Sequence, residues 1–321
     1  MRPESVSAID RLAFLGSDTM GALTYAPATE PALAAAEVDL LDLARESRAA
    51  LEEGASEDVL RHMVKMGGSP HGARPKALVN FDTSTSRMTN DASGAGAPWL
   101  VKFPAPGEHK EVCEIELLYA ALAGAAKIDM PDCQSFDLGR DLSAFAIRRF
   151  DREGLKRIPT HTLAGALNAN FRTPGAVDYQ TFLRLTRFIT NDAREVLKAF
   201  DRCVFNVIFN NRDDHAENFS YTLDANLHWQ LSPAYDLTYS YGYNGEHQMD
   251  VAGVGRDISR SALLKLAANT DLRASDAKAS IERICGVASE MPQMARHYQI
   301  RRQTISDMLA QVEANQRNML K

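Results

Sequence analysis

The amino-acid sequence predicts an α+β fold with two lobes, a small mixed β/α lobe followed by a large, mainly helical lobe. Three observations lead to this prediction. Apolar runs of strand type lie at residues 77–81, 98–103 and 144–152. Helical spacing of apolar residues dominates from about residue 160 to the C-terminus. The length of 321 residues also suits about two domains.

Composition and apolar spacing predict the elements of the N-terminal segment and of the small lobe. Residues 1–65 are predicted as a small strand at 20–25 and two helices within 32–66, where Ala, Leu and Glu are frequent. Residues 66–150 form the small lobe, with strands and a helix from about Lys110 to Ala126. The strand at 144–152 continues into a charged segment, which predicts a hinge to the large lobe at 151–321.

The large lobe contains one strongly patterned helix and a hairpin. Residues 192–209 carry apolar side chains at helical spacing, namely Val196, Leu197, Phe200, Cys203, Val204, Val207 and Ile208. Residues 219–222 and 228–231 predict two short strands around a turn at 224–226. Further helices are predicted at residues 261–268, 276–284 and 303–318.

Composition limits the class of protein. With 45% hydrophobic and 24% charged residues, the chain has the composition of an ordinary globular protein. A net charge of −6 argues weakly against a dominant nucleic-acid surface. The four cysteines form no close pair, which fits a reducing compartment, and no apolar stretch has the length of a membrane span. We therefore expect a cytoplasmic protein.

Residues 212–218 and 235–237 carry the most informative pattern. Asp213 follows Arg212 and precedes Asn218 by five residues, and Asp236 comes after the predicted hairpin. Protein kinases place an aspartate, an asparagine and a metal-binding aspartate in this order. A polyanionic phosphoryl donor needs oxygen ligands for Mg²⁺ and a further carboxylate that orients the attacking hydroxyl. Asp and Asn also form ordinary turns, so the pattern gains weight from the helix and hairpin around it.

Two features of the small lobe suit phosphate binding. Residues 67–76, Gly-Gly-Ser-Pro-His-Gly-Ala-Arg-Pro-Lys, combine glycines, which let a backbone approach phosphate oxygens, with two cations. Lys102 ends an apolar strand and precedes a helix with Glu116, and such a Lys–Glu pair positions donor phosphates in kinases. Glu111 and Glu114 compete for the role of Glu116. An ordinary turn and an edge-strand lysine are the alternatives.

Taken in order, these motifs resemble the HipA family of bacterial Ser/Thr kinases, the toxins of toxin–antitoxin pairs. Residues 69–76 are similar to the phosphate loop of that family, and Val-Lys-Phe-Pro at 101–104 to its ATP-lysine strand. Ile-Arg-Arg-Phe-Asp-Arg at 147–152 is similar to its hinge, and Ser-Pro-Ala-Tyr-Asp-Leu at 232–237 to its metal-binding turn. The resemblance covers roughly residues 65–310 and implies a bilobal, protein-kinase-like (HipA-like) fold.

The resemblance also implies a role for each matching residue. Asp213 would be the catalytic base, Asn218 and Asp236 would hold Mg²⁺, and Ser69 would be autophosphorylated. Asp214 would hold the loop by hydrogen bonds or assist a metal. The residues implied in ATP binding are Ser69, Gly72, Arg74, Lys76, Lys102, Glu116, Arg148, Phe150, Asp151 and His215.

The implied activity is transfer of the γ-phosphoryl group of ATP to a Ser or Thr hydroxyl of a protein, such as an aminoacyl-tRNA synthetase or another translation protein. The implied partners are a HipB-like helix-turn-helix antitoxin, through which DNA would be contacted only indirectly, and a small HipS-like protein. Full-length members carry a longer N-terminal region, so either such a separate protein supplies that part or the chain is a compact branch of the family. Two alternatives stay open: a small-molecule kinase of the aminoglycoside or choline type, and a catalytically silent antitoxin-binding corepressor.

Overall fold

The structure, a computed structural model, describes residues 7–29, 31, 33–51, 57–67 and 74–320. The chain divides into two compact units, Met1–Cys113 with Asp132–Thr160 and Glu114–Pro131 with His161–Lys321. Each unit has an apolar core of its own. The described helices include none that is both long and apolar enough to cross a membrane.

The first unit is built on an antiparallel sheet with short helices before it. The helices are α1 (Ala8–Leu15), α2 (Leu40–Leu51) and α3 (Glu57–Gly67), and the strands are β1 (Lys76–Asp82), β2 (Arg87–Thr89), β3 (Ala97–Lys102), β4 (Cys133–Asp137) and β5 (Ser143–Arg148). The strand order is β2-β1-β3-β5-β4. A small hairpin follows, β6 (Arg152–Glu153) and β7 (Lys156–Arg157). The three strands predicted in this part of the chain are confirmed.

Side-chain alternation gives the sheet of the first unit two different faces. One face is apolar and packs against α2 and α3 through a core that includes Ala77, Val79, Phe81, Trp99, Val101, Leu43 and Met66. On the other face, Lys76 of β1 lies directly opposite Lys102 of β3. The sheet thus separates an apolar core from a face that carries two lysines.

The N-terminal segment is attached to the first unit through its backbone. Arg152 donates to the carbonyl oxygens of Thr19 at 2.7 Å and Gly21 at 2.8 Å. Asp151 accepts a hydrogen bond from the backbone N–H of Gly21 at 2.7 Å. The strand predicted at residues 20–25 is wrong: the backbone groups of Gly21 bond to side chains, the Tyr25 N–H bonds to the carbonyl oxygen of Gly16, and residues 20–22 form a bend.

The second unit is mainly helical, with a small sheet of order β10-β9-β8. Its helices are α4 (Val112–Ala125, from Glu114 onward), α5 (Leu163–Leu167), α6 (Tyr179–Thr190), α7 (Ala193–Ile208), α8 (Arg260–Asn269), α9 (Ala274–Met294) and α10 (Arg302–Met319). Its strands are β8 (Thr160–Thr162), β9 (Ser220–Leu223) and β10 (Trp229–Leu231). The helices and the hairpin predicted for the large lobe are confirmed.

Helix α7 lies at the centre of the second core. Asp192 caps its first turn by accepting from the backbone N–H of Arg194 at 2.8 Å. The side chains of Phe200, Cys203 and Phe205 are fully buried in the core. Because α7 is buried along most of its length, the loop that follows it starts from a fixed position.

Candidate active site

The loop with the predicted catalytic residues leaves a helix end that is closed by another helix. Asn315 of α10 donates through Nδ2 to the carbonyl oxygens of Val207 at 3.0 Å and Ile208 at 3.3 Å. Carbonyls at a helix C-terminus lack partners within the helix, so this amide satisfies them. Asn210 then adopts a φ of +57°, a conformation that Asn tolerates, and turns the chain into the loop at 211–218.

Asp214 anchors this loop from the inside. Its carboxylate is fully buried and accepts from the Tyr179 hydroxyl at 2.6 Å, from His247 Nδ1 at 2.7 Å and from the backbone N–H of Gln248 at 2.8 Å. The Tyr179 oxygen in turn accepts from Asn206 Nδ2 at 3.0 Å. Burial and the Asp214 charge raise the pKa of Tyr179 well above its ordinary value, so its hydroxyl remains a donor. The second of the two adjacent aspartates therefore fixes the loop, as predicted.

Asp213 points the other way, as neighbouring residues of an extended segment do. Its side chain is 53% exposed, and its backbone carbonyl accepts a hydrogen bond from Asn218 Nδ2 at 2.7 Å. Nε2 of His215 lies 3.9 Å from Asp213 Oδ1. The His215 ring also contacts Phe171, with ring centroids 5.4 Å apart. The loop thus brings Asp213, His215 and Asn218 together.

Asn218 has a fixed amide orientation. It ends a 3₁₀ turn at Ala216–Asn218 and is buried. Because Nδ2 donates to the Asp213 carbonyl, Oδ1 is the amide atom that remains as an acceptor or a metal ligand. An amide oxygen is a hard donor of the kind that Mg²⁺ binds.

Tyr235 connects the two predicted metal ligands. Its hydroxyl donates to the carbonyl oxygen of Glu217, which precedes Asn218, at 2.6 Å. Ser220 Oγ lies 2.5 Å from the same hydroxyl and acts as the donor to it, since the Tyr235 proton is already used. Burial raises the pKa of Tyr235, which keeps this proton in place. This short hydrogen bond thus joins the residue that precedes Asp236 to the residue that precedes Asn218.

Asp236 adopts a left-handed backbone conformation, with φ at +58°. Such a conformation costs a non-glycine residue free energy, and it persists where the surrounding structure imposes it. Residues with this strain are concentrated at binding and catalytic sites. The same conformation occurs at Asp271, outside the site, so the functional role of Asp236 stays a prediction.

In the first unit, the predicted phosphate-binding lysines lie side by side. Lys76 and Lys102 are direct partners in the β1–β3 ladder, and like charges in such a position destabilise a sheet unless an anion lies near them. Lys102 is buried, with Nζ 5.7 Å from the ring centroid of Phe145. Arg74 forms a two-bond ion pair with Glu108, at 2.8 and 2.9 Å. Ser69 and Gly72 lie outside the described residues.

The remaining predicted ATP-binding residues have separate surroundings. Arg148 makes an exposed ion pair with Asp132 at 3.4 Å, and Phe150 is half-buried after β5. Glu116 is buried in α4 and belongs to the second unit, whereas Lys102 belongs to the first. Glu114 accepts a hydrogen bond from a backbone amide of the second unit. The pairing of Lys102 with Glu116 stays a prediction.

Asp151 is held in a buried ion-pair cluster. Its carboxylate lies 2.8 Å from Arg149 Nη2 and 2.9 Å from Arg152 Nη1, and the three side chains are at most 9% exposed. Burial opposes ionisation of Asp151, but the hydrogen bond and charge of Arg149 outweigh it, so its pKa is lowered. The structure thus surrounds this predicted cofactor-binding residue with two arginines and the N-terminal segment.

Three residues that support the site were missed in the sequence. Tyr179 and His247 are isolated polar residues more than thirty positions from Asp214, and their spacing gives no signal. Tyr235 directly precedes Asp236, so its position in the Ala-Tyr-Asp-Leu motif was a usable signal. Its role as a link between Asp236 and Asn218 needed the fold.

A comparison with known protein families identifies the family of the chain. The model of the HipA-like C-terminal domain family matches residues 68–295, which is more than half of the chain. The chain belongs to this family. The match includes the lysine strand, the loop at 211–218 and the turn at Asp236.

Curated relatives match over shorter regions. A protein of Sinorhizobium fredii (strain NBRC 101917 / NGR234) named "Putative kinase Y4dM" is 27% identical over 209 residues, which is 60% of this chain and 50% of the relative. A protein of Haemophilus influenzae (strain ATCC 51907 / DSM 11121 / KW20 / Rd) named "Putative kinase" is 27% identical over 148 residues, 42% of this chain and 43% of the relative. The chain thus spans about half the length of these relatives.

A solved structure has the same fold. HipA of the Shewanella oneidensis MR-1 toxin–antitoxin system, in a complex with HipB and its operator DNA, superposes with a TM-score of 0.72. The match covers 96% of this chain and 78% of that HipA, at 15% sequence identity. The prediction of a bilobal, HipA-like α+β fold is confirmed.

Proposed function

We propose that this protein is an ATP-dependent Ser/Thr protein kinase of the HipA toxin type. The observation that carries the proposal is the pair of adjacent aspartates, of which Asp214 is buried under three donors and Asp213 is half exposed beside Asn218. Membership of the HipA-like family and the names of the curated relatives support the same activity.

Asp213 would act on the acceptor hydroxyl. Its exposed carboxylate can accept a hydrogen bond from a Ser or Thr hydroxyl and take its proton as the γ-phosphoryl group is transferred. Asn218 holds the Asp213 backbone, and Tyr179 holds the side chain of Asp214, the next residue. Orientation of this kind is a large part of catalysis in phosphoryl transfer, because the protein supplies little covalent chemistry.

Asn218 and Asp236 fit the needs of a Mg²⁺ site. The orientation of the Asn218 amide presents Oδ1 rather than Nδ2, and Asp236 adds a carboxylate from a strained turn. When bound, Mg²⁺ neutralises charge on the donor phosphates. Lys76 and Lys102, partners in the β1–β3 ladder, would bind phosphate oxygens of ATP.

Regulation and partners extend the proposal. Phosphorylation of Ser69 would add about two negative charges to the phosphate-binding loop and weaken ATP binding there. We also propose a HipB-like antitoxin as a partner, because the solved HipA forms a complex with HipB and operator DNA. A small HipS-like protein and an acceptor among translation proteins complete the proposal.

Transfer from γ-labelled ATP to proteins of a cell lysate tests the activity. We expect Asp213→Asn to lower the rate by about 10²–10⁴-fold, because a positioned proton acceptor contributes that much, and Asp236→Asn to raise the Mg²⁺ requirement. Asp271→Asn is the matched control, since Asp271 is exposed in the second unit and also has a positive φ of +56°. Unchanged labelling by both site variants would contradict the proposal.

Two measurements separate the alternatives. In the labelling assay, label on small alcohols but on no protein would favour a small-molecule kinase. In a thermal-shift assay, absence of ATP binding would favour a corepressor. Ser69→Ala should remove label from the glycine-rich segment, as mapped by mass spectrometry. Self-labelling at other positions alone would contradict the assignment of Ser69.

A further inference from the structure

Two charged side chains of α7, which we call the α7 clamp, hold the backbone that leads to the predicted metal-binding turn. Glu195 Oε2 accepts from the N–H of Leu231 at 2.8 Å. Arg202 Nη2 donates to the carbonyl oxygen of the next residue, Ser232. Glu195 and Arg202 are seven residues apart, about two helical turns, so they lie on the same face of α7. The clamp thus holds the residues five and four positions before Asp236.

The segment held by the clamp is leaving the small sheet. Strand β10 is an edge strand that ends at Leu231, and residues 232–236 belong to no strand. Since the Ser232 N–H bonds to Ser220 at 2.8 Å, the alternation of an antiparallel ladder turns the Leu231 N–H away from β9, toward Glu195. The Ala234 N–H bonds to the carbonyl oxygen of Asp129 at 2.7 Å. Contacts outside the sheet therefore decide the course of the chain toward Asp236.

Stability alone does not account for Arg202. The residue is 3% exposed, and its Nη1 has no hydrogen-bond acceptor among the residues that the structure describes. Burial lowers the pKa of Arg202 to about 10, although Tyr235 and Asp129 act in the opposite direction. Replacing a buried charged group by an apolar side chain of similar volume is often neutral or stabilising. An apolar residue could fill the space of Arg202, but it could not donate to Ser232.

We propose that Glu195 and Arg202 are positioning residues of the metal site, which act on Asp236 through residues 231–232. This inference rests on the proposed kinase function. Helix α7 carries the loop with Asp213 beyond its C-terminal end, and the clamp ties the segment that leads to Asp236 to the same helix. Phosphoryl transfer depends on the relative positions of the base and the metal ligands. One buried helix thus sets both positions.

The first test is independent of catalysis and follows amide hydrogen exchange of the full chain by mass spectrometry. In Arg202→Met we expect exchange of residues 231–236 to rise by about tenfold, the effect of one lost hydrogen bond to a charged group. The rise is taken relative to the amides of α8 in the same protein, which removes the contribution of global unfolding.

Asp201→Asn is the matched control for this test. Asp201 precedes Arg202 in α7, its side chain is 13% exposed, and it pairs with Arg283 of α9 at 2.5 Å. Exchange of residues 231–236 should stay at the wild-type rate in this variant. Unchanged exchange in Arg202→Met, or an equal rise in Asp201→Asn, would overturn the clamp. If Arg202→Met does not fold, Glu195→Ala removes the other contact of the clamp and decides by the same criterion.

The second test connects the clamp to the metal. Binding of Mn²⁺, a paramagnetic substitute for Mg²⁺, is measured by electron paramagnetic resonance with a non-hydrolysable ATP analogue present. We expect Arg202→Met to lower the Mn²⁺ affinity by about tenfold, the lower end of the range for groups that orient metal ligands. Arg202→Lys, which keeps a donor toward Ser232, should recover part of this loss, and Asp201→Asn should bind Mn²⁺ like the wild type.

The outcomes of the two tests are distinguishable. Wild-type Mn²⁺ affinity in Arg202→Met, or an equal loss in Asp201→Asn, would overturn the link between the clamp and the metal. Failure of the proposed kinase function is recognised in the wild type, which would then bind no Mn²⁺ and label no acceptor. That result overturns the metal role as well, whereas the exchange measurement still decides whether the clamp holds residues 231–236.

Discussion

Asp151 in the first unit and Asp214 in the second are both removed from water, but they are stabilised in different ways. Asp151 is compensated by charge, with the guanidinium groups of Arg149 and Arg152 within 2.9 Å. Asp214 is compensated by directional donors, which are a tyrosine hydroxyl, a histidine nitrogen and a backbone N–H. The first arrangement attaches an N-terminal segment to the residues that follow β5, and the second sets the position of a loop.

The difference shows what each site requires. An ion-pair cluster tolerates small shifts, because Coulomb attraction varies slowly with distance. A carboxylate held by three separate donors has a narrow range of positions, because hydrogen bonds weaken steeply with angle. The proposed catalytic role of Asp213 would need such precision, since a displacement of about 1 Å at a catalytic group can cost about 10²-fold in rate. The two buried aspartates should therefore respond differently to substitution.

The largest expected effect is on stability in the first unit. Asp151→Ala leaves two buried guanidinium groups without their carboxylate, which should lower the free energy of unfolding by about 3–5 kcal/mol. Asp132→Ala is the matched control, because it removes an exposed ion pair, with Arg148, whose contribution is about 0–1 kcal/mol. Urea denaturation measures both. Equal losses in the two variants would show that the buried cluster contributes no more than a surface pair.

Next in size is the contrast between the two adjacent aspartates. Asp214→Asn turns an amide nitrogen toward at least one donor, so we expect a loss of about 1.5–3 kcal/mol in the free energy of unfolding. Asp213→Asn, at the exposed neighbour, should change it by no more than about 0.5 kcal/mol. In the ATP-labelling assay we expect the opposite contrast if Asp213 acts directly. Asp213→Asn should then lose activity although it is stably folded. A stable Asp214→Asn protein would contradict the anchoring role.

A smaller loss is expected at Tyr179. Tyr179→Phe removes one donor from Asp214 and the acceptor of Asn206 Nδ2, for a loss of about 1–3 kcal/mol. Tyr221→Phe provides the comparison, because the Tyr221 hydroxyl is also buried but bonds to the neutral hydroxyl of Thr186 at 2.9 Å. Its loss should be about 0.5–1.5 kcal/mol. If both variants lose the same free energy in denaturation experiments, the charge on Asp214 adds nothing to its bond with Tyr179.

The sequence was sufficient for features that depend on local pattern. Helix α7 follows from apolar spacing, and the hairpin after the loop follows from two short apolar runs around Asp224. The order of Asp213, Asn218 and Asp236 was visible as spacing, and the strands at residues 77–81 and 98–103 were predicted, although their register, which pairs Lys76 with Lys102, was not. These features depend on interactions between residues that are near in sequence or on simple periodicity.

The sequence was insufficient where a long-range contact decides the outcome. Residues 20–25 have the composition of a strand, but Arg152, 131 residues after Gly21, bonds to their backbone. The cofactor-binding role of Asp151 stays a prediction, but its hydrogen bond from the backbone N–H of Gly21 had no signal in the sequence. His247 could not be assigned to Asp214, because an isolated histidine carries no signal of its partner.

The smallest expected effect is a pH dependence of the free energy of unfolding that comes from the charge of Asp151. Its pKa is lowered in the folded protein, so above the unfolded-state value near 3.9 its ion pairs contribute fully. As the pH falls below that value, the unfolded chain binds the proton first, and the contribution is lost as the pH approaches the folded-state pKa. The difference in unfolding free energy between the wild type and Asp151→Asn should therefore shrink in acid. Exposed carboxylates with lowered pKa, such as Asp82, affect both proteins equally and cancel. A difference that stays constant from about pH 7 to about pH 3 would mean that the two arginines do not stabilise the charged form of Asp151.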